Sequence, residues 1–134
     1  MFEFLEKRKI WLVYVPLTIY WVMLFTATSI PVERLPSLGL SDKINHFVAF
    51  FLLAVLLYLT LIYQRKSRFL YEKAAIATII ICMLYGAIDE IHQLFIPGRF
   101  AEILDWVADG SGAILGVFLV YFLKNKLNYN LEFN

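Results

Sequence analysis

The 134-residue chain is 61% hydrophobic and 17% aromatic, and its mean hydropathy is +0.71. Because soluble domains are about 45–50% apolar, this excess indicates a membrane protein with a single domain, residues 1–134, rather than a soluble protein with a larger core. The formal net charge of +1 and the lack of a basic patch interleaved with aromatics argue against nucleic acid as a partner, and the single cysteine, Cys82, excludes an internal disulfide.

Four apolar segments predict an all-α fold, a four-helix transmembrane bundle. The first segment, residues 10–30, contains no charged side chain, and about 20 apolar residues are enough to cross the hydrocarbon layer. It is longer than the h-region of a cleaved signal peptide, which has about 7–15 residues, so we interpret it as a retained helix with a bend at Pro16. The other spans are predicted at residues 44–63, 74–96 and 102–123.

The connecting segments contain helix breakers and a helix cap. Residues 31–43 carry two prolines and a glycine, which predicts a loop, and Ser41 or Asp42 is a natural cap for the second helix. Residues 64–73 form a short basic loop, and Pro97-Gly98 marks a turn.

The distribution of basic residues predicts the orientation of the bundle. Lys and Arg side chains are concentrated on the cytoplasmic side of membrane proteins. Nine of them lie in the N-terminus, the 64–73 loop and the tail, against three on the other side, so both the N- and C-termini are predicted to be cytoplasmic. The nine are Lys7, Arg8, Lys9, Arg65, Lys66, Arg68, Lys73, Lys124 and Lys126, and the three are Arg34, Lys43 and Arg99.

This topology places polar side chains from three helices at one level, near the outer membrane surface. The members of each group are spaced i, i+3 or i, i+4 and therefore share a helix face. At 1.5 Å per residue, Asp89 lies about 10 Å before the end of the third helix and Asp109 about 10 Å after the start of the fourth, so the two should face each other. Glu90 fits the face of Asp89, His92 and Gln93 less well, and we expect it to point at another helix. The groups are Asp42, Asn45 and His46 on the second helix, Asp89, His92 and Gln93 on the third, and Asp105 and Asp109 on the fourth.

Small residues continue these faces deeper into the membrane. Gly86 extends the face of the third helix, Gly112 and Gly116 extend that of the fourth, and small residues four apart let helices approach closely in lipid. An Asp at the centre of a helix raises the free energy of membrane insertion by roughly 2.5–3.5 kcal/mol, whereas each Leu, Ile or Phe lowers it by roughly 0.3–0.6 kcal/mol. We therefore expect the third and fourth helices to insert as one hairpin.

The predicted outer side is strongly acidic. Seven acids face three bases there, a local formal charge of −4, which calls for shared protons, a cation or a cationic ligand. Carboxyls near histidines suit general acid–base chemistry, and their oxygens can hold a divalent cation. Zinc bound through His46 and His92 is a weaker alternative, because the chain has no HExxH or paired-cysteine motif. The seven acids are Glu33, Asp42, Asp89, Glu90, Glu102, Asp105 and Asp109.

The polar residues supply two overlapping sets of site candidates, without specifying a reaction or a metal. The catalytic candidates are Asp89, Glu90, His92, Asp105, Asp109 and His46. The ligand-binding candidates are Asp42, Lys43, Asn45, His46, Asp89, Glu90, Gln93, Arg99, Asp105 and Asp109. Arg99, in the turn, is either solvated, holds a phosphate or pairs with Asp105.

Some of these residues also have purely structural explanations. Asp42 can be explained as a helix cap with no further role, and His46 can be explained by a hydrogen bond to a neighbouring carbonyl. Asp89 and Asp109 can lock two helices together through a shared proton. Placing two carboxylates in the membrane has a high free-energy cost for helix packing alone, however, so we favour a functional role for this pair.

Two blocks of the sequence resemble the VanZ-like family of bacterial integral membrane proteins. The stretch DEIHQLFIPGRFAEILDWVADGSGAILG, Asp89–Gly116, is similar to the family's acidic pair, the Gln four residues after the first acid, the Pro-x-Arg turn and the later Asp. DKINHFVAFFLLAVLL, Asp42–Leu57, is similar to the start of the family's second helix. Asp109 stands where the family also has Asn. The matching motif residues are Asp42, Lys43, His46, Asp89, Glu90, Gln93, Arg99, Asp105, Asp109 and Gly116.

The resemblance implies a four-helix domain in the bacterial plasma membrane but no established reaction. The family's named member is associated with low-level resistance to the glycopeptide antibiotic teicoplanin. We therefore expect a non-enzymatic envelope factor whose outward-facing acidic and histidine site binds an amphiphilic or lipid-linked molecule, such as a cell-wall intermediate or a lipoglycopeptide. The second hypothesis is a small intramembrane carboxylate- or metal-dependent enzyme acting on a lipid headgroup. The third is a cation-coupled transporter built as an oligomer.

Overall fold

The structure is a computed structural model that describes residues 1–31, 33, 41–64 and 66–127. All regular secondary structure within these residues is helical, and four of the helices there are long and apolar enough to cross a membrane. The predicted all-α fold with four spanning helices is therefore confirmed, and the chain is a multi-pass membrane protein. Arg34 and Arg65, which entered the charge count, and most of the loop before the second long helix lie outside the described residues.

The first membrane helix is irregular next to its proline. A short helix, α1 (Phe2–Lys7), precedes it, and α2 (Ile10–Thr28) begins with a π-helical turn over Ile10–Tyr14. Pro16 lacks a backbone N–H, and its ring crowds the carbonyl four residues earlier, which a wider turn relieves. A π-helical turn thus lies directly before Pro16, where the sequence predicts a bend.

The second long helix begins at the predicted position. α3 (Asp42–Tyr63) is capped by Ser41, whose Oγ accepts a hydrogen bond from the backbone N–H of Ile44 at 3.4 Å. Of the two predicted caps, Ser41 therefore fills the role and leaves the Asp42 side chain available for other contacts. The basic loop that follows contains a short helix, α4 (Arg68–Glu72).

The third long helix is shorter than predicted and the fourth is longer. α5 (Ala74–Gln93) ends three residues before position 96, because the residue preceding a proline avoids the helical region and Ile96 precedes Pro97. Gly98 follows with φ of 76°, a backbone conformation that glycine adopts without strain. α6 (Ile103–Lys126) continues three residues beyond 123, with basic side chains in its last turn, where cations favour a helix C-terminus.

α3 is the central helix of the bundle and packs most extensively against α6. A Cβ on Gly112 would collide with the Phe47 carbonyl oxygen, and a Cβ on Gly116 would lie 2.6 Å from the Phe51 carbonyl oxygen. Glycine at both positions lets the two helix backbones approach closely. α5 and α6 are neighbours, as the hairpin hypothesis requires, but Gly112 and Gly116 face α3 rather than α5.

The interior and the exterior of the bundle are both apolar. Leu53 and Ala54 of α3 are completely buried, and large apolar side chains cover the outward faces of the other helices. Exposed apolar surface of this extent marks a membrane contact. Examples of the exposed side chains are Trp11, Ile19, Phe25, Ile80, Leu84 and Phe118.

Two hydrogen bonds join α2 and α3 in antiparallel orientation. Lys9 Nζ, before α2, donates to the Tyr63 carbonyl at the end of α3 at 2.9 Å. The Tyr20 hydroxyl donates to the Ala49 carbonyl at 2.9 Å, farther along both helices. The end of α2 consequently lies beside the beginning of α3.

Both termini are expected on the cytoplasmic side, and reporter fusions test this orientation. Alkaline phosphatase fused after Leu127 in a bacterial host should be inactive, whereas phosphatase fused after Phe100 should be active because the turn is exported. Green fluorescent protein should give the opposite pattern at the two positions. Active phosphatase at Leu127 would contradict the predicted topology.

Candidate functional site

Polar side chains gather at the end of the bundle where α3 and α6 begin. The buried members are His46, Asp89, Glu90, Gln93, Asp105 and Asp109. Their contacts divide the site into three parts. These are an acid–histidine cluster (His46, Glu90, Asp109), a guanidinium chain (Asp89, Gln93, Arg99) and a lysine rim (Lys43, Glu102, Asp105).

The acid–histidine cluster joins α3, α5 and α6. His46 Nδ1 lies 3.0 Å from Asp109 Oδ1 and 3.9 Å from Glu90 Oε1. Glu90 Oε2 accepts a hydrogen bond from the backbone N–H of Glu102 at 2.7 Å, so Glu90 is directed at the start of α6. Asp109 Oδ2 and Glu90 Oε1 have no hydrogen-bond partner among the described residues. The cluster thus holds buried acceptor oxygens next to an imidazole that can carry a proton.

Gly86 makes room for Asp109 on α5. A Cβ on Gly86 would lie 2.7 Å from Asp109 Oδ2 and 3.3 Å from Trp106 Cδ1. Trp106 Nε1 donates to the Met83 carbonyl at 2.9 Å and holds α6 against α5 at this level. The glycine predicted to pack helices therefore also sets how closely Asp109 approaches α5.

The guanidinium chain connects α5 to the end of α2. Gln93 Nε2 donates to Asp89 Oδ2 at 3.0 Å, and Arg99 Nη1 donates to Gln93 Oε1 at 3.4 Å. Arg99 also donates through Nη2 to the Ala27 carbonyl at 2.9 Å and through Nε to the Ile30 carbonyl at 3.2 Å. Carbonyls at a helix end lack helical partners, so Arg99 supplies donors that the end of α2 needs.

Lys43 forms the lysine rim with Asp105 of α6 and with Glu102, the residue before α6. Its Nζ lies 2.7 Å from Glu102 Oε2 and 3.3 Å from Asp105 Oδ1. Asp105, one of the predicted partners of Arg99, is therefore paired with Lys43 instead. The hydrogen bond from Lys43 lowers the pKa of the exposed Glu102 carboxyl below its ordinary value.

The Lys43–Glu102 pair should make stability depend weakly on pH. Because the folded-state pKa of Glu102 is lowered, its stabilising contribution is complete above the unfolded pKa of about 4.3 and is lost as the pH falls through the folded value. Glu102→Gln should slightly lower the melting temperature at pH 6 and make no difference at strongly acidic pH. Thermal unfolding at several pH values, at low and high salt, checks this result. A difference that persists in acid would contradict it.

A cavity of about 230 Å³ lies beside these groups, between α2, α3, α5 and the turn. One part of its wall is apolar and consists of Leu24, Ala27, Ala49 and Phe50. The other part is polar and carries Asp42, Asn45, His46, Asp89 and Arg99, and Thr28 and Tyr85 complete the lining. Apolar walls with a few convergent polar groups are typical of sites for small ligands.

His92 lies apart from the acid–histidine cluster. Its ring stacks on Phe25 of α2 with the ring centroids 5.1 Å apart, and its Nε2 is 3.0 Å from Ser29 Oγ. The helical spacing that placed His92 on the polar face of α5 does not decide which neighbouring helix the ring contacts. The structure therefore combines His46 with acids of two helices and combines His92 with α2.

Asp89 and Asp109, predicted to face each other, are both buried at this end of the bundle. Each has its own partner, because Asp89 bonds Gln93 and Asp109 bonds His46. The two carboxylates thus belong to adjoining parts of one polar region. Their depth follows from the helix register, whereas their partners depend on the packing of α3 between α2 and α6.

The contribution of α2 to the site was not predicted from the sequence. Leu24, Ala27 and Thr28 line the cavity, and the backbone at the end of α2 binds Arg99. The sequence feature that could have indicated this contribution is the run Thr26–Ser29, in which small and hydroxylated residues end an otherwise bulky apolar segment. Small side chains leave space beside a neighbouring helix, and this space is part of the cavity.

Comparison with known proteins gives one family match and one relative. The sequence profile described as VanZ/LLP1 matches residues 6–124, which include all four long helices up to their last turns and every candidate site residue. The chain is also 28% identical over 127 residues to Uncharacterized protein C11E3.10 of Schizosaccharomyces pombe, covering 93% of this chain and 71% of the relative. No solved structure matches the chain.

Proposed function

We propose, from the premise that this chain belongs to the VanZ/LLP1 family, that its cavity binds an amphiphilic or lipid-linked component of the cell envelope. The observation that carries the proposal is that the 230 Å³ cavity has one apolar wall and one polar wall. The apolar wall suits the first carbons of a lipid chain, and the polar wall suits a headgroup. The volume is below the roughly 300–1,000 Å³ of ordinary ligand sites, so the rest of the lipid would stay in the bilayer.

The charges on the cavity wall favour a headgroup that carries an amine. Two acids, Asp42 and Asp89, and one base, Arg99, line the cavity. An ammonium group matches the carboxylates, and a phosphate or carboxylate on the same ligand matches the guanidinium. His46, at the same wall, can donate or accept a hydrogen bond.

The cellular setting of this proposal is the outer face of the bacterial plasma membrane. It is supported by the resemblance to the family member associated with teicoplanin resistance and by the predicted cytoplasmic termini. The candidate ligands are a lipoglycopeptide and a lipid-linked cell-wall intermediate. Both are amphiphiles with amide- and amine-bearing polar parts. Binding either one would change how much antibiotic reaches its target.

Filling the cavity should abolish this function while leaving the bundle folded. Ala27 lines the cavity on α2, and Val22 is 61% exposed on the outer face of the same helix. Wild-type protein expressed in a teicoplanin-sensitive host should raise the inhibitory concentration, and Ala27→Phe should lose most of that rise. Val22→Phe, the same kind of enlargement outside the cavity, should keep it. Teicoplanin binding by the purified variants in lipid nanodiscs gives the direct measurement.

Two results would count against the proposal. Equal activity of Ala27→Phe and wild type would show that the cavity is not used. An unchanged inhibitory concentration together with no teicoplanin bound by the wild-type protein would remove the link to this antibiotic. Lipids that copurify with wild type but not with Ala27→Phe would then identify the amphiphile.

A small intramembrane enzyme is the second candidate function, and the acid–histidine cluster favours it. His46 lines the cavity and contacts buried carboxylates, which is the arrangement needed for general acid–base chemistry on a bound headgroup. Turnover of a labelled lipid that is lost in Asp109→Asn, with lipid binding retained, would support an enzyme. Binding without product in the wild-type protein would leave the non-enzymatic function.

A further inference from the structure

The acid–histidine cluster has the composition of a transition-metal site. It offers one imidazole nitrogen and two carboxylates from three helices, and the ligand atoms of His46, Glu90 and Asp109 all lie within 4.8 Å of one another. Imidazole and carboxylate together suit Zn²⁺ and its first-row neighbours, whereas Mg²⁺ and Ca²⁺ prefer more ligands, all of them oxygen.

Two buried oxygens in the cluster have no hydrogen-bond donor among the described residues. Asp109 is completely buried and Glu90 is 7% exposed. Yet Asp109 Oδ2 and Glu90 Oε1 have no hydrogen-bond partner within the described part of the chain. A single imidazolium can balance only one of two buried carboxylates, and unbalanced buried charge is costly. A divalent cation would balance both carboxylates and take up the unpartnered Glu90 Oε1.

The spacing of the donors fits a metal held by all three. Ligand bonds of about 2.1 Å in a tetrahedral site place neighbouring donors about 3.4 Å apart. His46 Nδ1 is 3.0 Å from Asp109 Oδ1 and 3.9 Å from Glu90 Oε1, on either side of that value. We propose that His46, Glu90 and Asp109 bind one divalent transition-metal ion of the Zn²⁺ type.

Neighbouring groups orient the proposed ligands. The Glu102 N–H holds Glu90 Oε2 at 2.7 Å, so that Oε1 is turned toward His46. Gly86 leaves the space that Asp109 Oδ2 occupies. Outer contacts of this kind are what fix ligand geometry in metal sites. His46 also lines the cavity, which provides a route for the ion from outside.

A second group of donors competes for His46 but fits a metal less well. Asp42, His46 and Asp105 also lie within 4.8 Å of one another. Lys43 Nζ stands 3.3 Å from Asp105 Oδ1, however, and its positive charge repels a cation there. The Asp42 side chain is exposed to solvent, which weakens its hold on an ion. The site therefore belongs to Glu90 and Asp109.

Zinc binding to the purified full chain tests the proposal and requires no knowledge of the amphiphile. Protein in nanodiscs is stripped with a chelator, titrated with Zn²⁺ against a chromophoric competitor, and analysed for metal content. The expected result is one Zn²⁺ per chain, with little binding of Mg²⁺ under the same conditions. Glu90→Gln and Asp109→Asn should each weaken zinc binding at least about 10-fold. His92→Gln removes the other histidine and should leave zinc binding unchanged.

The outcomes separate this proposal from the one about the cavity. A folded wild-type protein that binds no Zn²⁺, or unchanged zinc binding in a folded Glu90→Gln variant, would overturn the metal site even if the cavity binds its amphiphile. Loss of zinc in Asp42→Asn but not in Glu90→Gln would also overturn it. If Asp109→Asn does not fold, the decision rests on Glu90→Gln, whose folding is checked by circular dichroism.

Discussion

Replacing Gly112 with alanine is expected to lower the free energy of unfolding by about 1–3 kcal/mol. The added Cβ would collide with the Phe47 carbonyl oxygen and would lie 3.0 Å from the Phe47 carbonyl carbon and the Phe51 backbone nitrogen. These atoms belong to the backbone of α3, which cannot turn aside as the end of a side chain can, so α3 and α6 must separate. The lost packing exceeds the roughly 1 kcal/mol that alanine gains over glycine inside a helix.

Gly110 supplies a matched control two residues earlier on α6. A Cβ there would meet the Met83 Sδ at 2.5 Å, and a methionine side chain is flexible enough to move away. Gly110→Ala should therefore leave the free energy of unfolding unchanged or raise it slightly. Unfolding in mixed micelles with increasing dodecyl sulfate, followed by circular dichroism, measures both variants. Equal losses in the two would mean that close contact between α3 and α6 does not stabilise the bundle.

Replacing His46 with leucine should have a larger effect, about 3–5 kcal/mol of lost stability in metal-free buffer. The imidazole is the partner of Asp109 Oδ1 at 3.0 Å and lies 3.9 Å from Glu90 Oε1. Its removal leaves Asp109 without this donor and leaves both buried carboxyl groups without a neighbouring imidazole that can carry a positive charge. The free-energy penalty of leaving a buried polar group without a partner is greater than the net stabilisation from an ordinary hydrogen bond.

His92→Leu and a double variant control this experiment. His92 is half-buried and has its hydrogen-bonding contact with Ser29, so its loss should cost only about 0.5–1.5 kcal/mol. In His46→Leu/Asp109→Leu both partners are apolar, and part of the stability lost in His46→Leu should return because the Asp109 carboxyl is no longer left buried without its partner. A loss in His46→Leu no greater than in His92→Leu would show that the cluster does not contribute as a buried pair.

These two expectations are linked through the position of α3. Gly112 and Gly116 bring the backbone of α6 against Phe47 and Phe51, and His46 is the residue before Phe47 on α3. The same close approach therefore places His46 within hydrogen-bonding distance of Asp109. We expect Gly112→Ala to weaken zinc binding as well as stability, whereas Gly110→Ala should affect neither strongly.

The four membrane helices and the gathering of their polar ends could be predicted from the sequence. Apolar length determines that a segment spans, and charge bias and breakers such as Pro97-Gly98 determine where it ends. Helical spacing determines which side chains share a face, so Asp89 and Gln93, four residues apart, were assigned together and do bond each other. All of these are local properties, because each depends only on neighbours within a few turns.

Only the tertiary structure decided which helix each face contacts. His92 lies one residue from Gln93 yet contacts α2, Arg99 binds carbonyls of α2 rather than Asp105, and α6 packs along α3. The cavity likewise depends on small residues of α2 that carry no charge pattern. Helix periodicity leaves the rotation of each helix and the choice of its neighbour undetermined. Both depend on how the side chains and glycines of all the helices fit together at once.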